Sequence, residues 1–373
     1  MARYLSGAHR GLGKGQIGGH HVLKSRKATL SVLLGAATIA WPVAGATTVA
    51  AANPQTTPPI GTQLAELKCP NTVTVDVFGG SVAISGTTAI VGARLAGRAY
   101  VFAKAASGWK QAAELKGSGT VAGDWFGASV AISGTTAIVG ADLQAKYAGR
   151  AFVFTRTASG WHQAAALRGS DTVSYDAFGG SVAISGTTAV VGASGHANRP
   201  GSPYAGRAYV FTKTASGWHQ TAELKGSDTV ADDEFGSSVA ISGTTVIVGA
   251  PFHAHGVGRA YVFTKTASGW HQIAELKSSD AAGDDYFGWS VAVSGTIAVV
   301  DSTVHSVGSA GRAYVFTKTA AGWHQTAELK DAIFLDGFGQ SVAISGTTAV
   351  VGAPGHADAA GRAYVFTKTA SGW

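Results

Sequence analysis

The residues richest in chemistry recur along this chain. An aspartate stands two positions before a Phe-Gly pair six times, at Asp76, Asp124, Asp176, Asp233, Asp285 and Asp336. An arginine recurs in step with it, at Arg98, Arg150, Arg207, Arg259, Arg312 and Arg362. Carboxylates in equivalent places could ring a channel mouth and hold cations. A group present in every unit is more economically structural, accepting hydrogen bonds from amides of its own loop or pairing with the recurring arginine. Acid–base catalysis needs titratable groups held in unlike environments, which an unbroken repeat does not supply. A structural role is therefore the expectation for both sets.

Histidine follows a second pattern. It falls four positions after the glycine of a Gly-Ala pair at His196, His253 and His356, and at His305, where Asp301 replaces that glycine. Ala96 and Gln144 occupy this place in the first two units. Imidazoles on neighbouring units could form a transition-metal or pH-sensitive patch, or be solvated loop residues copied by duplication. Metal–nitrogen bonds are about 2 Å long, whereas packed sheets stand about 10 Å apart, so no metal is expected. The longest variable loop, Ser194–Gly206, adds Arg199 and Tyr204. The candidate ligand-binding residues are thus His196, Arg199, Tyr204, His253, His305 and His356.

Residues that break the repeat carry more information about specificity. Trp125, Lys146, Tyr147, Tyr175, Phe252, Tyr286 and Trp289 fall in loops, where aromatics either form a recognition surface or simply pack. Catalytic constellations are missing: there is no Gly-x-Ser-x-Gly elbow, His-Glu-x-x-His, phosphate-binding loop or cysteine cluster. No catalytic residue and no cofactor is assigned. A carbohydrate-active enzyme would have to use non-repeating charged groups such as Asp142, Arg199, Asp232, Glu234 and Asp301, with carboxyl groups about 5–10 Å apart.

The elements that must position these residues follow from one unit. Ser238-Val239-Ala240-Ile241-Ser242 alternates small and branched residues, as a half-buried strand does. Ser242-Gly243-Thr244-Thr245 is a tight hairpin turn. Val246 to Ala250 is a continuous apolar run, expected of a strand buried on both faces. Arg259 to Phe263 and Trp270 to Lys277 supply two further strands, joined by Thr266-Ala267-Ser268-Gly269. The Phe of the unit recurs at Phe78, Phe126, Phe178, Phe235, Phe287 and Phe338, with spacings of 48, 52, 57, 52 and 51 residues. Periods of about 40–50 residues with four strands mark a propeller blade. The reading is an all-β, six-bladed β-propeller of four-stranded antiparallel blades over residues 61–373. Residues 62–68 read like the missing outer strand of the last unit, so they are expected to pair beside Arg362–Phe366 and close the ring. The recurring Trp109, Trp161, Trp218, Trp270, Trp323 and Trp373 stand where a sialidase-type Asp-box turn would, but its aspartate is missing. They are expected to pack on the outer strand, with His162, His219, His271 and His324 on its surface.

Before the repeats, residues 1–52 read as an export signal, with Lys24, Arg26 and Lys27 ahead of an apolar run from Ala28 to Ala40 and small residues beyond Pro42. Residues 53–60 form a Pro-rich linker. The chain has 28 Lys plus Arg against 21 Asp plus Glu, but six bases and no acid precede residue 53. The remainder therefore carries 22 bases against 21 acids, or +1, and gives no support to nucleic-acid binding. A lone Cys69 can form no internal disulfide.

Phe235-Gly236 with Gly249-Ala250-Pro251, and Phe338-Gly339 with Gly352-Ala353-Pro354, resemble the FG-GAP repeat family, which includes the N-terminal propeller of integrin α subunits. Arg94, Asp142 and Ser194 replace that proline in the first three units. The resemblance implies that the Phe wedges between blades and that the module is extracellular and adhesive. Integrin-type propellers carry calcium in long Asp-x-Asp-x-Asp-Gly loops. Here the corresponding hairpin is Ser-Gly-Thr-Thr with no carboxylate, so that site is expected to be absent. The functional expectation is a secreted (extracellular or periplasmic), monomeric, non-catalytic module with no membrane span once processed, binding a protein or glycan. The alternatives are a secreted carbohydrate-active hydrolase or lyase, and a self-associating surface-layer component.

Overall fold

The computed structural model describes residues 65–68, 76–197, 204–280, 282–302, 311–330, 336–356 and 360–373. The expected leader and linker lie outside the described residues. Six antiparallel sheets follow one another along the chain, each running from first to last strand in sequence order. Blade one holds β1 (Phe78–Ser85), β2 (Thr88–Ala93), β3 (Arg98–Ala105) and β4 (Gly108–Leu115). Blade two holds β5 (Val130–Ser133), β6 (Thr136–Ala141), β7 (Arg150–Thr157) and β8 (Gly160–Leu167). Blade three comprises β9 (Ser181–Ser185), β10 (Thr188–Ala193), β11 (Arg207–Thr214) and β12 (Gly217–Leu224). Blade four comprises β13 (Ser238–Ser242), β14 (Thr245–Ala250), β15 (Arg259–Thr266) and β16 (Gly269–Leu276). Blade five adds β17 (Val291–Ser294), β18 (Ile297–Ser302), β19 (Arg312–Thr319) and β20 (Gly322–Lys330). The described part of blade six is β21 (Ser341–Ser345), β22 (Thr348–Ala353) and β23 (Arg362–Thr367).

The local chemistry explains each blade. Gly186, in the turn between β9 and β10, adopts φ +57°, a left-handed conformation that glycine reaches without steric cost. The run Thr-Ala-Val-Val-Gly-Ala of β10 is buried at every position, because a neighbouring blade covers each of its faces. Gly192 permits that approach: a Cβ there would lie 2.0 Å from the carbonyl oxygen of Gly236 on the next blade.

One core cluster fills each seam between consecutive blades from one to six. Phe235 is fully buried, packing at 5.5 Å from the Tyr261 ring and 6.1 Å from Phe263 within its own blade. It shares its cluster with Val190, Val210 and Leu224 of blade three. Phe126, Phe178, Phe287 and Phe338 repeat this arrangement and are fully buried too. The Phe is therefore the expected wedge. Around the hub, where the first strands of successive blades adjoin, each turn glycine N–H donates to a serine hydroxyl of the preceding blade. These bonds run Gly134 to Ser85 (3.0 Å), Gly186 to Ser133 (3.0 Å), Gly243 to Ser185 (3.2 Å), Gly295 to Ser242 (3.0 Å) and Gly346 to Ser294 (3.0 Å).

The flank between blades six and one differs. Leu67 is buried against Ala89, Val91, Tyr100 and Phe102 of blade one, the place Leu115 takes against blade two. Yet no core cluster among the described residues joins the sixth sheet to the first. Val82 and Ile84 of β1 are 48% and 43% exposed, against 7% and 8% for Val130 and Ile132 at the matching places of β5. Residues 62–64, three of the seven residues of the expected closing strand, lie outside the described residues.

Candidate functional site

The repeated aspartates hold their own loops. Asp176 Oδ2 accepts from the Val173 amide at 2.8 Å, and Asp233 Oδ2 accepts from Val230 at 2.7 Å. Asp124 and Asp285 do the same with the amides of Val121 and Ala282. Of the two structural roles open in the sequence, backbone bonding is the one found. Four of the recurring arginines instead cross to a glutamate on the neighbouring outer strand, in Arg98–Glu114, Arg207–Glu223, Arg259–Glu275 and Arg312–Glu328.

The loop histidines join this bracing. His196 Nδ1 lies 2.9 Å from Asp176 Oδ2, and His253 Nδ1 lies 2.8 Å from Asp233 Oδ2. His356 Nδ1 stands 3.8 Å from Asp336 Oδ2. His196 and His356 are buried and His253 is largely so, so all three rings point inward rather than across the surface. The Tyr209 hydroxyl donates to Asp171 Oδ1 at 2.7 Å. Burial, and then that carboxylate, holds the phenol well above its ordinary pKa. Tyr261 with Asp228 and Tyr314 with Asp280 repeat the contact at 2.8 Å. Residue types alone did not reveal this network, although each His follows its Asp by twenty residues, a regularity that marks it. His305 and Arg199 lie outside the described residues. Tyr204 is exposed, and its carbonyl accepts from the Glu234 amide at 3.1 Å.

The outer tryptophans pack partly buried against the seam clusters. The histidines that follow four of them are exposed, and three reach a nearby serine hydroxyl at 2.9 Å.

The residues that break the repeat gather at one end of the molecule. Parallel bridges Gly149–Phe178, Gly206–Phe235 and Gly258–Phe287 tie the loop before each third strand to the loop entering the next blade. Both loop types therefore share one face. Their backbones are unusual: Ala145, Lys146 and Tyr147 adopt φ +55°, +61° and +65°, and Ala254 and His255 adopt +52° and +59°. Such conformations cost non-glycine residues on the order of 1–3 kcal/mol each and persist where surrounding bonds impose them. On this face Tyr147 stacks on Tyr175 at 5.5 Å and 11°. Phe252 lies 5.3 Å from Tyr286 and 6.1 Å from Trp289. The Arg94 guanidinium lies 5.1 Å above the Trp125 ring. Tyr147, Tyr175, Tyr204 and Trp289 are 48%, 60%, 41% and 39% exposed, more than core packing would leave them.

Between blades four and five this face opens into a cleft of about 430 Å³, lined in part by Asp232, Phe252, His255, Asp284 and Tyr286. Glu234, close by, is raised by burial and by the neighbouring Asp232. Elsewhere on the face burial lifts Asp142 to about 6, against the lowering effect of its backbone hydrogen bond and of Arg94. Asp301, the residue standing for glycine in the fifth unit, is fully buried and accepts from the Ser290 amide. Among the described residues no group of three or more His, Cys, Asp or Glu is arranged to hold a metal ion. No helix among them is long and apolar enough to cross a membrane.

Six antiparallel blades, five of four strands and a sixth with three among the described residues, with a phenylalanine wedge at each described seam and variable loops on one face, define a six-bladed β-propeller. The FG-GAP repeat model matches residues 62–102, 109–154, 161–211, 218–263, 270–316 and 323–366, and the chain belongs to the FG-GAP repeat family. Among solved structures, a protein from Lactobacillus plantarum is similar at 12% identity and a TM-score of 0.53, covering 79% of this chain and 81% of its own. A functionally unknown protein from Desulfotomaculum acetoxidans is similar at 13% identity and a TM-score of 0.52, covering 79% and 83%. These likenesses establish the fold alone. No curated protein matches the sequence.

Proposed function

We propose that this chain is an extracellular, non-catalytic binding module that recognises a protein or glycan through its variable-loop face. The observation that carries the reading is the set of exposed aromatics there. The units are nearly identical in their strands, yet Tyr147, Tyr175, Tyr204 and Trp289 interrupt the repeat on one face and stay accessible. Exposed aromatic rings supply large contact areas at little cost in side-chain entropy and stack well on sugar or peptide surfaces. The apolar run before the linker supports export, and membership of the family supports an extracellular setting.

The test is binding of the purified chain to arrays of glycans and of extracellular proteins, incubated long enough to detect released sugars. Saturable binding without release, weakened at least tenfold in a Tyr147→Ala/Tyr175→Ala/Tyr204→Ala variant, is the expected result. Binding that survives the triple variant overturns the assignment to this face. Released sugars would instead establish the hydrolase or lyase reading and turn attention to Asp142 and Asp232.

A further inference from the structure

The cleft between blades four and five differs in kind from the rest of the loop face. Its floor and lip come from the loop around Phe252 to Gly256 and from the two entry loops at 230–233 and 284–286. The position three residues before the Phe is Val75, Gly123, Tyr175 and Leu335 in units one, two, three and six. It is aspartate only in units four and five, as Asp232 and Asp284. Both extra carboxylates therefore stand on the two units that flank this one cleft, and both are exposed there.

The other carboxylate of the lining, Asp233, is held by His253 at 2.8 Å and the Val230 amide at 2.7 Å. Asp232 and Asp284 belong to no ion pair among the described residues, although Asp284 Oδ1 accepts a long hydrogen bond from the Tyr286 hydroxyl at 3.3 Å. No lysine or arginine lines the cleft. Its wall is aromatic, with the Phe252 ring edge-on to Tyr286. A concave space of this size, in the range of small-ligand sites, with aromatic faces and carboxylates that have no cationic partner attracts an organic cation. At the corresponding seam between blades two and three, by contrast, two stacked tyrosines occupy the surface.

We propose that this cleft binds a primary ammonium group, presented by a lysine side chain or by an amino sugar. The Asp232 and Asp284 carboxylates take the charge, and Phe252 and Tyr286 cover the carbon skeleton. This assignment rests on the reading of the loop face as a binding surface and adds the chemistry of its ligand.

Calorimetric titration of the full chain at low salt tests it with two pairs of probes. Nα-acetyl-lysine methylamide is compared with its Nε-acetylated form, and glucosamine oligomers with N-acetylglucosamine oligomers. The expected result is binding of one ammonium probe at least tenfold tighter than its acetylated partner, the pair that discriminates naming the source. Asp232→Asn/Asp284→Asn should abolish that preference. Both residues have left-handed φ, +70° and +63°, which asparagine adopts readily, so the fold is retained and circular dichroism should be unchanged. His219→Ala, exposed on the outer strand of blade three and away from the loop face, should leave ammonium binding within twofold. Equal binding of charged and acetylated probes, no binding of either ammonium probe up to tens of millimolar, or full binding by the Asp232→Asn/Asp284→Asn variant each overturns the proposal. Array binding that is lost in the tyrosine variant but kept in the Asp232→Asn/Asp284→Asn variant would sink this inference while leaving the binding-face reading intact.

Discussion

Truncating one wedge tests how the blades hold together. Phe235 is fully buried at the seam between blades three and four. Buried Phe→Ala changes cost about 3–5 kcal/mol, part transfer and part cavity. Two ring pairs, with Tyr261 and Phe263 at 5.5 and 6.1 Å, account for about 1–3 kcal/mol of that, since each is worth about 0.5–1.5 kcal/mol beyond area burial. Phe235→Leu keeps most of the apolar volume and loses the ring pairs, so it should cost about 1–3 kcal/mol. The assay is urea unfolding at pH 7 followed by tryptophan fluorescence, reading the midpoint shift multiplied by the shared slope. Phe78 supplies an internal comparison, being only half-buried on β1, and Phe78→Ala should cost less than half as much. A loss under about 1 kcal/mol at Phe235 would refute the wedge account. Equal losses at the two sites would refute the picture of an open flank on blade one.

Three further perturbations read other parts of the structure. Gly192→Ala drives a methyl to within 2.0 Å of the Gly236 carbonyl and should cost about 3 kcal/mol or more; Gly186→Ala, in open space at φ +57°, should cost only about 1–2 kcal/mol, both measured by urea unfolding. Asp142 has a folded pKa of about 6 against an ordinary 3.8, so the fold binds its proton more tightly than the unfolded chain does. Its stabilising contribution is full below pH 3.8 and is lost as pH rises through about 6. Asp142→Asn should therefore raise stability at pH 7 by on the order of 2–3 kcal/mol, with the difference from the parent shrinking towards pH 4 in parallel urea titrations. The repeat register Val315↔Ala327 of blade five places Ala65 opposite Val365 if residues 62–68 complete blade six. Ala65→Cys/Val365→Cys, in a Cys69→Ser background, should then cross-link under mild oxidation, visible as a non-reducing gel shift; a chain that stays uncross-linked argues against closure by that strand.

Much of the architecture was legible because each unit states the same physics. A Ser-Gly turn, a doubly buried apolar run and a Phe at a fixed place recur often enough that strand order and blade count follow from pattern alone. The site was less legible. His196, His253 and His356 looked like loop residues because their neighbours in sequence are small and polar. Their actual surroundings are Asp176, Asp233 and Asp336, brought together by the fold across an intervening hairpin. Asp301 stands in the sequence among the non-repeating charges open to catalysis, but a close seam between blades buries it. The cleft at Asp232 and Asp284 needed both entry loops in space before its two carboxylates could be seen as one feature.

The serine hydroxyls of the hub carry a consequence for how such a chain can change over generations. Each described seam uses the same donor and the same acceptor, pointing the same way, from a turn amide back to the blade before it. A unit copied or lost whole by unequal recombination would therefore meet neighbours that already fit it. Point changes in the loops can then accumulate on individual copies without disturbing the joints, so blade number and loop character can vary independently in descendants of one ancestral unit.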